Sequence, residues 1–97
     1  MLIELKKFGT TLVSRQTGKE AFAAFLPTLE TVKEGEIVEV SFEGVLTFSP
    51  SWGDEFLRPL HEKFNKRLIL HTSSNQSVKL TLELLEEINK FKFEIKG

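Results

Sequence analysis

The chain has no cysteine among its 97 residues, which excludes disulfide bonds, thiolate chemistry and cysteine-based metal sites. It also has no tyrosine and one tryptophan, whereas phenylalanine occurs nine times. Because phenylalanine lacks the polar tip that suits tyrosine to wet surfaces, we expect most aromatic side chains to be buried. No apolar run approaches the roughly 20 residues of a membrane span. The apolar run within Met1–Gly9 is too short for that of a signal peptide.

Positive and negative side chains nearly balance, with 13 basic and 14 acidic residues and a net charge of −1. Nucleic-acid binding draws its affinity from clustered lysine and arginine, so this balance argues against a nucleic-acid partner. The length fits one domain, and a hydrophobic content of 40% is enough for a core. We therefore expect residues 1–97 to form a single soluble, cytoplasmic domain without a membrane partner.

The first half of the chain contains two strand-like segments, a helix and a further strand. Leu2–Phe8 and Thr10–Val13 are β-prone runs on either side of a glycine, a pattern typical of a hairpin or a bent strand. Thr17–Glu20 has the spacing of a capping box, and apolar residues follow it at helical intervals. Ile37–Phe42 is rich in β-branched residues and has few polar breaks, which predicts a strand buried on both faces.

The second half continues the alternation of helix and strand. A second helix is predicted to start at about Ser51, and Arg67–His71 reads as a short strand. A third helix covers Val78–Lys90, and Phe91–Ile95 alternates with charged residues as a last strand with one wet face does. The cap of the third helix is Ser74, Asn75 or Ser77, and its predicted apolar stripe consists of Leu80, Leu82, Leu84, Leu85 and Ile88. The class is therefore α/β, with a mixed sheet of about four to five strands and about three helices.

The segment Glu36–Leu60 is the most informative part of the chain, because an apolar strand there leads through a serine-rich loop into a helix. Such strand–loop–helix junctions are common binding sites in α/β domains. Ser51 is predicted to cap the helix, with Asp54 as the partner in a short capping box. Its alternative role is phosphorylation or partner contact, and Ser49 is a second candidate phosphoacceptor.

Two further residues near this junction allow two interpretations each. Trp52 either staples the helix onto the core or is exposed beside Phe48 as an apolar patch for a partner. Arg15 precedes the first helix, where its charge opposes the helix dipole, so it either reaches a carboxylate across the fold or contacts a partner.

The chain carries no recognisable catalytic or metal-binding motif. His61 and His71 are ten residues apart with no HExxH pattern, and no GxSxG sequence surrounds a serine. We therefore expect no metal, no cofactor and no enzymatic activity.

Four sequence features in a fixed order resemble those of STAS domains, and more closely those of the STAS-like family of unknown function. They are Phe8-Gly9, Ser14-Arg15, the strand end Phe42–Val45 and the helix opening Ser51–Glu55. STAS domains form bacterial anti-anti-sigma factors. The resemblance implies a sheet with helices on one side and a role as an interaction module, whose partner in the regulators is an ATPase of the histidine-kinase-like superfamily.

In those regulators the kinase phosphorylates a serine in the loop before this helix. The phosphoacceptor position of their Asp-Ser-Ser motif falls on Pro50, the preceding acidic position on Ser49, and the second serine on Ser51. We therefore expect a non-enzymatic bacterial regulatory domain, a monomer or weak homodimer, that binds a protein through Phe48, Ser49, Ser51, Trp52, Asp54 and Arg15. The alternative is a small-molecule sensor or small enzyme with a pocket near the same loop, lined by Phe48, Trp52 and His71.

Overall fold

A computed structural model describes the whole chain, residues 1–97. The strands are β1 (Leu2–Glu4), β2 (Thr11–Leu12), β3 (Val38–Ser41), β4 (Thr47–Phe48), β5 (Leu68–His71) and β6 (Glu94–Lys96). The helices are α1 (Arg15–Leu29), α2 (Pro50–Phe64) and α3 (Gln76–Asn89), with short 3₁₀ turns at Leu5–Phe8 and Asn65–Arg67. None of the helices is long and apolar enough to cross a membrane. The α/β class and the three helices are confirmed.

The main sheet contains four strands in the order β1-β3-β5-β6, and every neighbouring pair is parallel. A separate two-stranded sheet pairs β2 with β4, also in parallel. The predicted mixed pairing is therefore wrong, and of the two patterns predicted around Gly9, the hairpin is not formed. The two N-terminal strands do not pair with each other, because β1 pairs with β3 and β2 with β4, strands more than 30 residues further along the chain.

Only one face of the main sheet is covered. Burial alternates along β3, with Val38 and Val40 fully buried and Glu39 exposed between them, so the prediction of a strand buried on both faces is wrong. Along the chain, each new strand of the main sheet is added on the same side of the strand before it. Because the connections between parallel strands are right-handed, all three helices then lie on the same face of the sheet. This agrees with the one-sided arrangement that the STAS resemblance implies.

The core between sheet and helices is a single cluster of 20 buried hydrophobic residues. Aromatic rings form much of it, and the ring of Trp52 stacks on that of Phe56 with centroids 5.0 Å apart. Phe8 packs against both rings from the N-terminal 3₁₀ turn. The expectation that the aromatic side chains are mostly buried therefore holds for the rings around Trp52.

The helix boundaries differ from those predicted where capping contacts decide them. α1 begins at Arg15 instead of Thr17, because the hydroxyl of Ser14 accepts a hydrogen bond from the Thr17 amide at 3.0 Å. Pro27 and Pro59 lie inside α1 and α2, and neither helix ends at its proline.

The last helix and strand also differ from the prediction. Asn75 caps α3, which selects one of the three predicted residues. The inward face of α3 consists of Val78, Thr81, Leu82 and Leu85, whereas Leu80, Leu84 and Ile88, predicted to be buried, are exposed. β6 covers only Glu94–Lys96, and all three of its residues are exposed.

Candidate functional site

The small β2–β4 sheet places the starts of two helices side by side. Leu12 lies opposite Phe48 in the parallel register, and the amide of Ser49 donates to the carbonyl of Leu12 at 3.0 Å. β2 is followed by Ser14, which caps α1, and β4 is followed by Ser49, which caps α2. Two serine-capped helix N-termini therefore lie next to each other.

Ser49, and not Ser51, is the N-cap of α2. Its hydroxyl accepts a long hydrogen bond of 3.5 Å from the Trp52 amide and donates a shorter one of 2.7 Å to the carbonyl of Val13. Pro50 occupies the first helical position, where a fixed φ suits the helix and the missing amide hydrogen loses no bond. The cap therefore lies two residues earlier than predicted, and its hydroxyl links α2 to the segment before α1.

Ser51 is the second residue of α2 and is half-buried. Its hydroxyl makes no hydrogen bond to any other group of the chain, in contrast to that of Ser49. The predicted capping role of Ser51 is thus wrong. Its hydroxyl lies at the start of the helix without a hydrogen-bond partner in the chain.

Phe48 and Trp52 are core residues, and the interpretation of Trp52 as part of an exposed patch is wrong. Their side chains are 2% and 1% exposed, and their ring centroids are 5.8 Å apart in an edge-to-face arrangement. Both rings are buried because α1 packs on one side of the α2 start and α3 on the other. Neither side chain is available to a partner, and both instead hold the first turn of α2 in place.

Two glycines permit this close packing. A Cβ atom on Gly18 of α1 would lie 2.8 Å from the carbonyl oxygen of Trp52. A Cβ atom on Gly53 would lie 3.0 Å from Leu85 and 3.2 Å from the Phe48 ring. Neither glycine is predicted from the sequence to pack closely, although a glycine inside a helical pattern is itself a signal of close packing.

An ion-pair network covers the outer side of the α2 start. One guanidinium nitrogen of Arg15, Nη1, lies 3.1 Å from Asp54 Oδ2 and 2.6 Å from Glu55 Oε2. Asp54 also accepts from Arg58 Nε at 3.2 Å. The hydrogen bonds to Glu55 and then to Asp54 raise the pKa of Arg15. Arg15 therefore pairs with carboxylates across the fold, which is the first of its two interpretations. Asp54 pairs with two arginines and does not complete a capping box.

The two histidines lie in different surroundings. The His61 ring stacks on Phe91 with centroids 4.0 Å apart, whereas His71 Nε2 lies 2.8 Å from Glu39 Oε1 on the open face of the sheet. No group of three or more histidine, aspartate or glutamate side chains is placed to hold a metal ion. His71 borders open clefts at the end of β5, but no cavity is lined by Phe48 or Trp52. A cavity lined by Phe48, Trp52 and His71 together, which would have favoured the sensor alternative, is therefore not formed.

A comparison with known families agrees with this geometry. Residues 23–79, more than half of the chain, match the model of a family described as a STAS-like domain of unknown function. The match runs from α1 into α3 and includes the whole of α2 with its cap. No curated protein and no solved structure shows significant similarity to the chain. The chain therefore belongs to the family of STAS-like domains of unknown function.

Proposed function

We propose that this chain is a non-enzymatic interaction domain of bacterial regulation that binds a protein partner through the start of α2. The contact surface, called here the α2 entry surface, consists of Arg15, Ser49, Ser51, Asp54 and Glu55. The observation that carries the proposal is the free hydroxyl of Ser51, which lies in the same helix start as the Arg15–Asp54–Glu55 ion pairs. Family membership supports the proposal, because the STAS domains that this chain resembles act as interaction modules.

The packing beneath the α2 entry surface supports a role in recognition. Phe48 and Trp52 hold the first turn of α2 from below, and Gly18 allows α1 to approach it closely. A surface that is already ordered loses little conformational entropy when a partner binds. We therefore assign Phe48 and Trp52 to the support of the surface and the charged and hydroxyl groups to the contact.

The partner proposed from the STAS resemblance is an ATPase of the histidine-kinase-like superfamily. Ser51 is the better candidate phosphoacceptor, because phosphorylation of Ser49 would remove the hydroxyl hydrogen that it donates to the Val13 carbonyl. A phosphate on Ser51 would gain from the helix N-terminus and Arg15 but would be repelled by Asp54 and Glu55. Phosphorylation would thus rearrange the ion pairs of Arg15 and change the partner contact.

Partner binding is tested by a charge reversal with a matched control. Arg15→Glu breaks both ion pairs on the α2 entry surface, whereas Lys19→Glu makes the same charge change one turn further along α1. We expect wild type and Lys19→Glu to capture the same partner from lysate of the source organism and Arg15→Glu to lose it. Retention of every captured protein by Arg15→Glu would remove the proposed surface.

Phosphorylation is tested by intact-mass measurement after incubation with the captured ATPase and ATP. We expect the mass of one phosphate to appear on wild type and on Ser49→Ala but not on Ser51→Ala. If no phosphate is gained, the phosphoacceptor part of the proposal fails while the partner surface is judged by the capture experiment alone.

A further inference from the structure

α3 carries a column of exposed aliphatic side chains that the core does not use. Leu80, Leu84 and Ile88 are 64%, 39% and 60% exposed and follow each other at intervals of four residues. Residues four apart lie on the same side of a helix, so the three side chains form one continuous row, called here the α3 column. The buried face of α3 is made by other residues, and the helix therefore has a second apolar side that faces solvent.

A fourth exposed aliphatic side chain belongs to a residue near the start of this helix. Leu46, in the segment before β4, is 69% exposed, and its carbonyl accepts a hydrogen bond of 3.0 Å from the side chain of Asn75, the α3 cap. The α3 column and Leu46 together account for half of the large hydrophobic side chains that the chain exposes. Single exposed leucines are ordinary, whereas a continuous row such as the α3 column marks a contact surface.

An acidic row runs beside the α3 column. Glu83 and Glu87 are exposed, lie four residues apart, and occupy positions next to the column on the helix surface. Neither carboxylate forms an ion pair with any basic group of the chain, whereas Glu86, which is next to Glu83 on the edge away from the column, pairs with Lys92. The surface thus combines an aliphatic row with two carboxylates that form no ion pair. Lys79 and Lys90 lie on the other side of the acidic row, away from the column.

A second copy of this chain packed antiparallel on the column is disfavoured. If two α3 helices packed antiparallel about a twofold axis, the acidic rows of both copies would lie on the same side of the contact. Glu83 and Glu87 would then face the same two carboxylates of the other copy, and like charges at this distance repel. Charge complementarity instead favours a partner with basic side chains along one edge.

We propose that the α3 column docks an amphipathic helix of a partner protein. Its apolar face covers Leu80, Leu84 and Ile88, and its lysine or arginine side chains pair with Glu83 and Glu87. The column extends over nine residues, from Leu80 to Ile88, or roughly 12 Å of helix, so the contact belongs to the small, transient class. This surface is distinct from the α2 entry surface and does not depend on the function proposed for it.

The test uses two designed helical peptides with the same apolar face, one flanked by lysine and the other by glutamate. Each is titrated into the isotope-labelled protein and followed by NMR. We expect the lysine peptide to shift amide signals of α3 and of the segment around Leu46, and to bind at least about tenfold more tightly than the glutamate peptide. Equal affinity for the two peptides, shifts centred elsewhere, or no binding at about millimolar peptide would overturn the proposal.

Variants separate the apolar and the charged parts of the contact. Leu84→Ala is expected to weaken binding of the lysine peptide about tenfold, whereas Ile37→Ala, at an equally exposed residue outside the surface, leaves it unchanged. The double variant Glu83→Gln/Glu87→Gln is expected to bind both peptides alike. Melting temperatures of all variants should match that of wild type, because every changed side chain is exposed. Light scattering that shows a wild-type dimer dissociated by Leu84→Ala would assign the column to a second copy and overturn the proposal.

Discussion

At the scale of single residues, two serines at the start of α2 have different surroundings. Ser49 both accepts from the Trp52 amide and donates to the Val13 carbonyl, and Ser51 makes no side-chain hydrogen bond. A cap of this kind typically stabilises a protein by about 0.5–2 kcal/mol.

We therefore expect Ser49→Ala to lower the free energy of unfolding by about 1–2 kcal/mol. Ser51→Ala is the matched control and should change it by less than about 0.5 kcal/mol. Urea denaturation of both variants measures the difference. A larger effect at Ser51 than at Ser49 would contradict the assignment of the cap.

Gly18 provides the second prediction at this scale, because its missing side chain lets α1 approach the backbone of Trp52. In an exposed helix, alanine in place of glycine stabilises by about 1 kcal/mol. At Gly18 the added methyl group would lie 2.8 Å from a carbonyl oxygen. Overpacking against backbone destabilises by about 1–3 kcal/mol, so the clash exceeds the helix preference.

Gly18→Ala should thus destabilise the protein by up to about 2 kcal/mol in thermal or urea unfolding. Lys19→Ala, at the next and exposed position of the same helix, should have an effect below about 0.5 kcal/mol. A stabilised Gly18→Ala variant would show that α1 and α2 do not approach each other so closely.

At the scale of secondary-structure elements, Asn75 joins α3 to the segment before β4. Its side-chain oxygen accepts from the amides of Ser77 and Val78, and its nitrogen donates to the carbonyls of Val45 and Leu46, both at 3.0 Å. One side chain thus caps a helix and also holds the neighbouring segment.

Asn75→Asp separates these two roles, because aspartate caps helices as well as asparagine but has no amide hydrogens to donate. We expect a loss of about 1–3 kcal/mol of stability, since a carboxylate oxygen would face two carbonyl oxygens. Gln76→Glu adds the same charge one residue later and should be neutral or slightly stabilising. An Asn75→Asp variant as stable as wild type in urea would rule out the link to the β4 segment.

The turn that joins α1 to β3 gives an element-scale prediction about pH. The carboxylate of Glu36 accepts from the Lys33 amide at 2.9 Å and pairs with the Met1 ammonium at 3.1 Å, and these contacts lower its pKa. Because the folded-state pKa lies below the unfolded-state value of about 4.3, the stabilisation is present above that pH. It is lost as the pH falls through the lower folded-state pKa.

Urea unfolding between about pH 3 and pH 7 should therefore show wild type losing stability on acidification more steeply than Glu36→Gln. Glu94→Gln, which removes an exposed carboxylate on β6, should follow the wild-type profile. Parallel profiles for wild type and Glu36→Gln would contradict the assigned pKa shift.

At the scale of the whole molecule, the main sheet is parallel and yet has one open face. Parallel sheets are usually covered on both sides, and their strands are apolar throughout. In β5 the side chain of Leu70 is fully buried beneath the helices, whereas its neighbour Ile69 lies half-buried on the open face between Glu39 and Glu94.

The two neighbours should respond differently to truncation. Leu70→Ala is expected to destabilise the protein by about 2–5 kcal/mol, because it leaves a cavity in the core. Ile69→Ala should lower stability by less than about 1.5 kcal/mol, since water already reaches that face. Similar losses in urea unfolding would indicate that something covers the open face, such as a second copy of the chain.

The sequence by itself determined the α/β class, three helices and the position of the serine-rich loop before α2. These properties depend on local signals: the spacing of apolar residues, the positions of glycine, and the capping residues within a few positions of each helix start. The family resemblance could also be recognised from the sequence, because each of its four features is a short segment of adjacent residues.

Only the tertiary structure decided the parallel pairing of all strands, the burial of Trp52 and the pairing of Arg15 with Asp54 and Glu55. Each of these joins residues that are distant in the chain, and no local pattern specifies which distant segment meets which. The exposure of Leu80, Leu84 and Ile88 has the same cause. Helical spacing shows that they share a side of α3, but the positions of β4 and α2 determine which side of the helix is covered.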